Sequence, residues 1–596
     1  MRDRGGGSGW LARARGATWI WFLAPVVLYL VLLMVLPVGR LLLLAITTRD
    51  GTLTIDNFAR AFQVPVYLKV FWITLKLAAM TTVLSLIFSY PVAYLASIAR
   101  ASTRVWIVFL ILLPFWTSFL VRTFAWLVLL GKNGTINSLL RALGIIDAPA
   151  NLMFNFTAVL VVMCHAMMSL CVLTMLSVME NIDRNLQRAA TTLGAPPGSA
   201  FWQVYFPLSL PGVSASALLV FISALGFFIT PAFIGGRQET VITQVIIEQV
   251  LELLNWPFAA ALSIMLLAIS LVIFYVFDRL VGISALSGGA GQTGLAESAQ
   301  RALPRRGEYG RKVLALIGRI SDVFVAPLQR RAHHRGGETR RFGVLSVVCA
   351  AVLAFLVLPP FVMVPLSFTE TSFIDWPPRG FSMRWYATFF SSPEWMAATY
   401  RSFVIGLFSA LLAMVIGVPA AFVLARRQFA GKVGLISLIL SPLIIPRIII
   451  ALALFYLFAR LNIAGTILSL VLGHAVISVP FVVVTVMATL KNFDQRLEHA
   501  AWSLGARPWR TFLHVTFPII RSGLLAAFLF AFITSFDELT IALFVTGGVT
   551  STLPKQMWDA AILQITPTLA AASTFLLVVV MVAIGATEWL RRRTAA

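Results

Sequence analysis

The sequence predicts an all-α polytopic membrane protein made of two six-helix transmembrane domains in tandem. The first observation is composition, since 59% of the 596 residues are apolar and 12% are charged, with a mean hydropathy of +0.91. A water-soluble protein needs a polar surface, and a chain this apolar has too few polar residues to form one. The second observation is a series of long apolar segments, and the third is an internal repeat.

About twelve apolar segments are long enough to cross about 30 Å of hydrocarbon, which takes roughly 20 helical residues. The first six lie near residues 19–46, 70–98, 105–130, 156–179, 213–235 and 258–282. The second six lie near residues 343–367, 402–425, 433–459, 463–489, 520–547 and 565–589. They predict one transmembrane domain over 1–284 and another over 342–596. The N-terminal segment exceeds a signal-peptide core of roughly 7–15 residues, so we expect it to remain as the first span.

The formal charge of +23 follows the short loops and tails rather than one surface. Arginines precede the first span, follow the second span of each half and close the chain at Arg591–Arg593. Such residues lie on the cytoplasmic side, where anionic lipids attract them. We therefore expect both termini to be cytoplasmic, and acidic residues such as Glu239 and Glu370 to lie on the opposite side.

Residues 285–341 are rich first in Gly, Ser and Ala and then in Arg, and they predict a basic cytoplasmic linker. The segment from Arg311 to Val325 has two interpretations. It forms a basic amphipathic helix on the inner leaflet, or it is a flexible tether whose arginines only follow topology.

The internal repeat lies between the fourth and fifth spans of each half. Its copies begin with Asp183-Arg-Asn-Leu and Asp494-Gln-Arg-Leu and continue without a gap past a shared Leu-Gly-Ala. We name residues 183–194 the first repeat loop and residues 494–505 the second repeat loop. The matched residues are Asp183, Leu186, Ala189, Ala190, Leu193, Gly194 and Pro207 in the first half and Asp494, Leu497, Ala500, Ala501, Leu504, Gly505 and Pro518 in the second.

The spacing i, i+3, i+4, i+7 of Leu186, Ala189, Ala190 and Leu193 predicts a short helix with a narrow apolar face. Small residues allow close approach to a partner, and the following glycine allows a sharp turn. Prolines 197, 207, 508 and 518 are expected to stop helices and set the angle of return to the membrane. The alternative is a re-entry loop that packs only on its own bundle.

At these residues the chain resembles the permease subunits of binding-protein-dependent ABC importers, whose corresponding loop carries Glu-Ala-Ala followed by Leu-Gly-Ala. The position of the family's Glu is taken here by Arg188 and by His499. The Ala-Ala, Leu-Gly and downstream proline are kept in both halves.

A finer resemblance distinguishes the halves. Residues 113–126 and 226–236 are similar to the first permease of spermidine/putrescine importers, and residues 441–446 and 535–547 to the second. The resemblance implies a fusion of the two permeases. It implies alternating access driven by two copies of a cytoplasmic ABC ATPase that bind the repeat loops, with an extracytoplasmic solute-binding protein supplying the solute across a bacterial inner membrane.

The resemblance also implies that this chain is not an enzyme and holds no cofactor, since the partner ATPase uses ATP and Mg²⁺. The sequence agrees, because Gly131-Lys132 is followed by Asn133 and Gly431-Lys432 by Val433, so neither is a phosphate-binding loop. Related permeases for ferric iron, thiamine, opines and phosphonates remain alternatives. A secondary transporter of the major-facilitator type is a further one, although its signature lies between the second and third helices.

Candidate pathway residues are the charged and aromatic residues of the spans. Asp537 and Glu538 either face a polar cavity that admits a cation, or cap a helix and pair with Arg521 or another base. Trp116, Arg122 and Trp126 form a predicted aromatic and cationic cluster, which binds an organic cation or anchors the helix at an interface. His165 and His474 are expected to be hydrogen-bonded core residues, and no metal site is predicted.

Overall fold

The computed structural model describes residues 19–48, 52–281, 315–322, 343–374, 376–547, 550–563 and 565–595. These residues are almost entirely helical, and their extended pairing is limited to two isolated bridges, Thr47 with Leu53 and Thr369 with Phe381. The predicted domain boundaries at 284/285 and 341/342 lie outside the described residues.

The first half contains helices α1 to α12. Their bounds are α1 Ile20–Ala45, α2 Asp56–Gln63, α3 Pro65–Ile98, α4 Ala101–Trp116, α5 Phe119–Leu130, α6 Thr135–Ala142, α7 Phe156–Met179, α8 Arg184–Thr192, α9 Pro197–Leu225, α10 Ile229–Ile234, α11 Ile242–Leu251 and α12 Trp256–Val281. A short helix α13 follows at residues 315–322.

The second half contains helices α14 to α24, which follow the same order except that α6 has no counterpart between α18 and α19. Their bounds are α14 Gly343–Ser367, α15 Arg384–Ser391, α16 Pro393–Arg426, α17 Lys432–Ile444, α18 Arg447–Arg460, α19 Ile467–Lys491, α20 Arg496–Ser503, α21 Pro508–Phe536, α22 Thr540–Val545, α23 Leu553–Leu563 and α24 Pro567–Ala595.

The predicted all-α class is confirmed. Among the described residues, nine helices are long and apolar enough to cross a membrane, or up to 11 if the bent pairs α4–α5 and α17–α18 each count as one span. The apolar part of α24, Pro567–Val582, falls at the position of the last predicted span. Ten of the twelve predicted segments therefore coincide with a helix or with a bent pair of helices. The fifth segment of each half was predicted too late in the chain, because α9 and α21 begin at Pro197 and Pro508 and end at Leu225 and Phe536, before the breaks that lead to α10 and α22.

The prediction that Pro207 and Pro518 stop helices is wrong, because both lie inside the continuous helices α9 and α21. A π turn precedes each proline, at Phe201–Tyr205 and at Phe512–Thr516. In the first of these, the Phe206 amide donates to the carbonyl of Phe201, one residue farther back than in an α-helix. The shifted bonding accommodates a proline, which has no amide hydrogen to donate.

The first helix of each half packs against the other half. The Tyr29 hydroxyl of α1 donates to the carbonyl of Leu472 in α19 at 2.6 Å. In the second half, α14 packs on α7, where His165 Nε2 donates to the carbonyl of Leu356 at 3.1 Å. Serines also join neighbouring spans, Ser89 to Met168 and Ser409 to Val471, at 3.2 Å each. Such polar contacts hold helices together where lipid removes the hydrophobic driving force.

Candidate functional site

A cavity of about 300 Å³ lies between the two halves, where four helical segments are interrupted. The pair α4–α5 bends by 91° and the pair α17–α18 by 96°. The chain also leaves helical geometry between α9 and α10 and between α21 and α22. Non-helical backbone at membrane depth must be buried in protein or line a cavity, because hydrocarbon offers no hydrogen bonds. Residues at all four breaks line this one central cavity, so the non-helical backbone is placed where such backbone is tolerated.

The breaks of the two halves touch each other at Gly226 and Pro446. Gly226 follows α9, Pro446 precedes α18, and both line the cavity. A Cβ on Gly226 would lie 3.0 Å from Cβ of Pro446, which is closer than ordinary van der Waals contact. Both residues belong to segments singled out in the sequence, but their contact connects the two halves and has no local signature.

Glu538 lies on the cavity wall and is buried, with 1% of its surface exposed. Its Oε2 pairs with Nη1 of Arg447 at 3.1 Å, and its Oε1 accepts from the amide of Ile541 at 3.0 Å. It therefore caps the first turn of α22 and pairs with a base, as one of the two interpretations held. The base is Arg447 rather than Arg521, because the break before α18 brings Arg447 to the cavity.

Asp537 also lines the cavity, but it is only half-buried. The side chain of Ser118, at the bend between α4 and α5, hydrogen-bonds to it. Arg122 and Arg447 lie within electrostatic range of the same carboxylate. Asp537 belongs to the second half whereas Ser118 and Arg122 belong to the first, so this carboxylate connects both domains.

Arg122 is 2% exposed and lies on the first-half wall of the cavity. Its Nη1 donates to the carbonyl of Ala166 at 2.9 Å, and its guanidinium lies 4.3 Å from the ring centroid of Phe119. A buried charge is costly unless hydrogen bonds and an opposite charge compensate it. Asp537 supplies that charge from the opposite half.

Aromatic rings form much of the remaining wall. Trp116 packs on Phe530 of the other half with ring centroids 4.4 Å apart, and Phe530 stacks on Phe481 at 6.1 Å. Phe119 packs edge-on against Phe227 at 5.2 Å. Aromatic faces attract cations, most strongly where water is excluded. The wall of the cavity thus combines the acidic side chain of Asp537 with several ring faces.

The three residues of the predicted cluster, Trp116, Arg122 and Trp126, do not all lie at one site in the structure. Trp116 and Arg122 line the cavity, whereas Trp126 packs between His165 and Phe355, at 5.7 and 5.5 Å between ring centroids. The grouping of Trp126 with the other two is therefore wrong. The bend at residues 117–118 turns α5 away, so that its later residues contact α14.

The histidines predicted to be hydrogen-bonded core residues are both buried. His165 donates to the carbonyl of Leu356, and His474 Nδ1 donates to the carbonyl of Ser535 at 3.0 Å. The three cysteines, Cys164, Cys171 and Cys349, are free and buried. Across the part of the chain that the structure describes, no cluster of three or more His, Cys, Asp or Glu residues is suited to hold a metal ion.

The two repeat loops project from the bundle as short helices, α8 and α20. No residue of α8 is buried, and Leu186 and Leu497 are about half exposed. Leu193 and Leu504, which end the two helices, are each 89% exposed. Two leucines presented so fully in equivalent places are typical of a contact surface for another chain.

The turn after each helix requires glycine. Gly194 has φ of +91° and Gly505 has φ of +86°, in the left-handed region that side chains with a Cβ disfavour. A Cβ on either glycine would meet no atom within 4 Å. The requirement is therefore one of backbone conformation rather than space, as the Leu-Gly signature indicates.

The first repeat loop is attached to the end of α3. Arg184 Nη1 donates to the carbonyl of Ile98 at 3.1 Å, and its other terminal nitrogen donates to the carbonyl of Ser97. A cation at a helix C-terminus interacts favourably with the helix dipole. Asp183 caps α8 through a 2.9 Å bond from the amide of Asn185.

The second repeat loop is attached by a different set of contacts. Glu498 is 5% exposed and receives two hydrogen bonds of 2.8 Å from Arg426 at the end of α16. The hydroxyl of Thr516 in α21 donates to the same carboxylate. Sequence reasoning missed this pair, since Arg426 was interpreted as a topological charge. The only local signal was an acidic residue two positions before the Ala-Ala pair.

Both repeat loops lie on the same face of the bundle. Trp19, at the start of α1, packs on Phe429, which follows α16, with ring centroids 4.7 Å apart. Because α1 and α3 cross in opposite directions, the end of α3 lies on the face where α1 begins. The first loop is attached there, and the second is attached to the end of α16 on that same face.

Two bundles that enclose a central cavity and present matched loops on one face define a polytopic membrane transport component. The family model for the binding-protein-dependent transport system inner membrane component matches residues 90–284 and again residues 413–596. The chain belongs to this family and carries two of its domains. It is a multi-pass inner-membrane permease of an ABC importer, and the major-facilitator alternative is excluded.

Relatives match one half each. The spermidine/putrescine transport system permease protein PotB of Haemophilus influenzae is 33% identical over 250 residues, which are 41% of this chain and 87% of that protein. PotC of Escherichia coli K12, from a system of the same description, is 31% identical over 243 residues, 41% of this chain and 91% of that protein. A chain from the crystal structure of a bacterial ABC transporter for the acidic polysaccharide alginate aligns with a TM-score of 0.34 and 14% identity, over 42% of this chain and 98% of that one.

Proposed function

We propose that this chain forms the membrane pore of a polyamine importer, in which the two permeases of the related systems are joined. The observation that carries the proposal is that both halves resemble spermidine/putrescine permeases and enclose a cavity whose wall includes the acidic residue Asp537. The volume of about 300 Å³ is at the lower end of small-molecule sites, in keeping with a slender linear solute.

Polyamines are linear organic cations with ammonium groups separated by methylene chains. In the proposed site, Asp537 attracts an ammonium group, and the faces of Trp116, Phe530 and Phe119 contact the methylene chain and the charge. Glu538 does not take the cation directly, because Arg447 already pairs with it. The positive charges of Arg122 and Arg447 offset the negative charges of Asp537 and Glu538. The net charge of the site is then close to zero, and the polyamine binds weakly enough to be released.

Transport is driven from outside this chain. Two copies of a cytoplasmic ABC ATPase bind the two repeat loops, with Leu193 and Leu504 inserted into one cleft each. Closure of the ATPases around ATP moves the loops together, and the breaks around the cavity let the halves reorient. ATP and Mg²⁺ are held by the ATPases, this chain holds no cofactor, and a solute-binding protein delivers solute to the opposite face. The loop face and both termini are then cytoplasmic.

The test is uptake by proteoliposomes that contain this chain with its ATPase and binding protein. We expect ATP-dependent accumulation of labelled putrescine or spermidine. Ferric iron, thiamine, opines and phosphonates, which related permeases carry, serve as the competing solutes. Accumulation of one of these with no polyamine uptake would refute the substrate and leave the importer assignment intact.

A further inference from the structure

Helix α13, in the segment between the two domains, lies against the base of the first repeat loop. Its Gly318 is buried, and a Cβ there would lie 3.2 Å from Cα of Ser199 and 3.6 Å from Nε2 of Gln203. These two residues belong to the first turns of α9, directly after the loop. We name the depression formed by Gly198, Ser199 and Gln203 the first groove, and glycine at position 318 allows the two backbones to approach.

Asp322, at the end of α13, caps the start of α9. Its Oδ1 accepts from the amide of Gly198 at 2.7 Å, and its Oδ2 accepts from the hydroxyl of Ser199 at 2.6 Å and from the amide of Ser199 at 3.2 Å. The first amides of a helix have no partner within the helix and favour a negative charge. Here that charge comes from a residue more than a hundred positions along the chain.

Among the described residues, the equivalent groove of the second half is open. It has a volume of about 490 Å³ and is lined by Ala501, Ala506, Arg510, Thr511, His514 and Val515. Alignment of the repeat places Arg510 where the first half has Ser199, and His514 where it has Gln203. With Arg510 in place of Ser199, the second groove lacks the hydroxyl that donates to Asp322 in the first groove.

We propose that α13 binds the start of α9, directly after the first repeat loop, and thereby fixes the junction between α8 and α9. The second loop does not need it, because Glu498, Arg426 and Thr516 form its attachment. The two loops are therefore held by different means. Helix α13 therefore acts as a positioning element for one coupling site, a consequence that rests on the proposed function.

The docking is tested by cross-linking, which requires no transport. Ser199→Cys and Gly318→Cys place two thiols side by side, since the Cβ at 318 would lie 3.3 Å from Oγ of Ser199. A protease site is inserted within residues 285–314. We expect the two halves to stay joined on a non-reducing gel after oxidation and cleavage. Each single variant, Ser199→Cys or Gly318→Cys alone, is the matched control and should give separate halves, because the three native cysteines are buried. Separate halves from the double variant would overturn the docking.

The contribution to coupling is tested with Asp322→Ala in the assembled transporter. Loss of a helix cap typically changes a conformational equilibrium by about five-fold, so we expect uptake per ATP hydrolysed to fall by about that factor. Arg319→Ala changes an exposed residue of the same helix and should leave uptake unchanged. Normal coupling in Asp322→Ala would overturn the positioning role. Failure of the proposed function would give a different result: the ATPase would still bind after Leu193 and Leu504 are replaced.

Discussion

Gly226 and Pro446 meet where the two halves of the molecule touch, such that a Cβ on Gly226 would lie 3.0 Å from Cβ and 3.4 Å from Cα of Pro446. The first residue ends α9 and the second begins α18. Because proline is rigid and its backbone cannot move independently, the contact fixes how closely the two domains approach beside the cavity.

Gly226→Ala is expected to lower the rate of uptake without preventing membrane insertion. The added methyl group must displace Pro446 by a few tenths of an ångström, and overpacking typically costs about 1–3 kcal/mol. The measurement is initial uptake in proteoliposomes at matched protein content. Gly434→Ala is the control, because a Cβ there meets nothing within 4 Å. Equal uptake by the two variants would show that this contact does not constrain the halves.

Asp537→Asn is expected to raise the KM for putrescine by about ten-fold, which corresponds to about 1.4 kcal/mol of lost attraction. Glu538→Gln should act differently, because Glu538 pairs with Arg447 and caps α22. It should lower the melting temperature of the detergent-solubilised protein. The two variants are compared by uptake kinetics and by thermal unfolding. An unchanged KM in Asp537→Asn would argue against this carboxylate as a cation site.

Glu498→Gln is expected to loosen the second repeat loop. Removing one partner of a buried pair typically costs about 3–5 kcal/mol, and we expect about 2 kcal/mol here because the Arg426 side chain is 26% exposed. The measurement is proteolysis of the loop in membranes, together with ATPase binding. The double variant Glu498→Gln with Arg426→Met removes both charges and should recover part of the loss when it is compared with the two single variants. Additive effects in that cycle would mean that the pair is not coupled.

Leu193→Asp combined with Leu504→Asp is expected to abolish co-purification of the ATPase in mild detergent. Each side chain is 89% exposed, so the change should leave the fold intact while placing a charge in the docking cleft. Leu461→Asp, at an exposed position after α18, should retain the ATPase. Retention by the double variant as well would contradict docking at the repeat loops.

Gly505→Val is expected to uncouple ATP hydrolysis from uptake while leaving the protein in the membrane. The valine has ample space, but φ of +86° disfavours a β-branched residue and will distort the turn. Bulky replacement of Ala500 should have the same result through the docking face, because that residue is exposed. Uptake and ATP hydrolysis are measured together, and an unchanged ratio in both variants would count against coupling through this loop.

The sequence by itself determined the all-α class, the positions of the spans, the two repeat loops and their glycine turns. These features depend on local patterns: hydropathy over about 20 residues, helical periodicity, and a backbone conformation that glycine alone adopts easily. Even there, local rules failed at Pro207 and Pro518, where a π turn keeps the helix continuous.

Only the tertiary structure decided which residues meet. It brought Ser118 to Asp537, Arg447 to Glu538, Arg426 to Glu498 and Asp322 to Ser199, and it separated Trp126 from the cavity. Each of these outcomes depends on bends between helices and on packing between halves. These contacts are stable because charged and polar groups far apart in the chain are buried together and satisfy one another. The sequence of a single segment does not reveal which distant group its residues will contact.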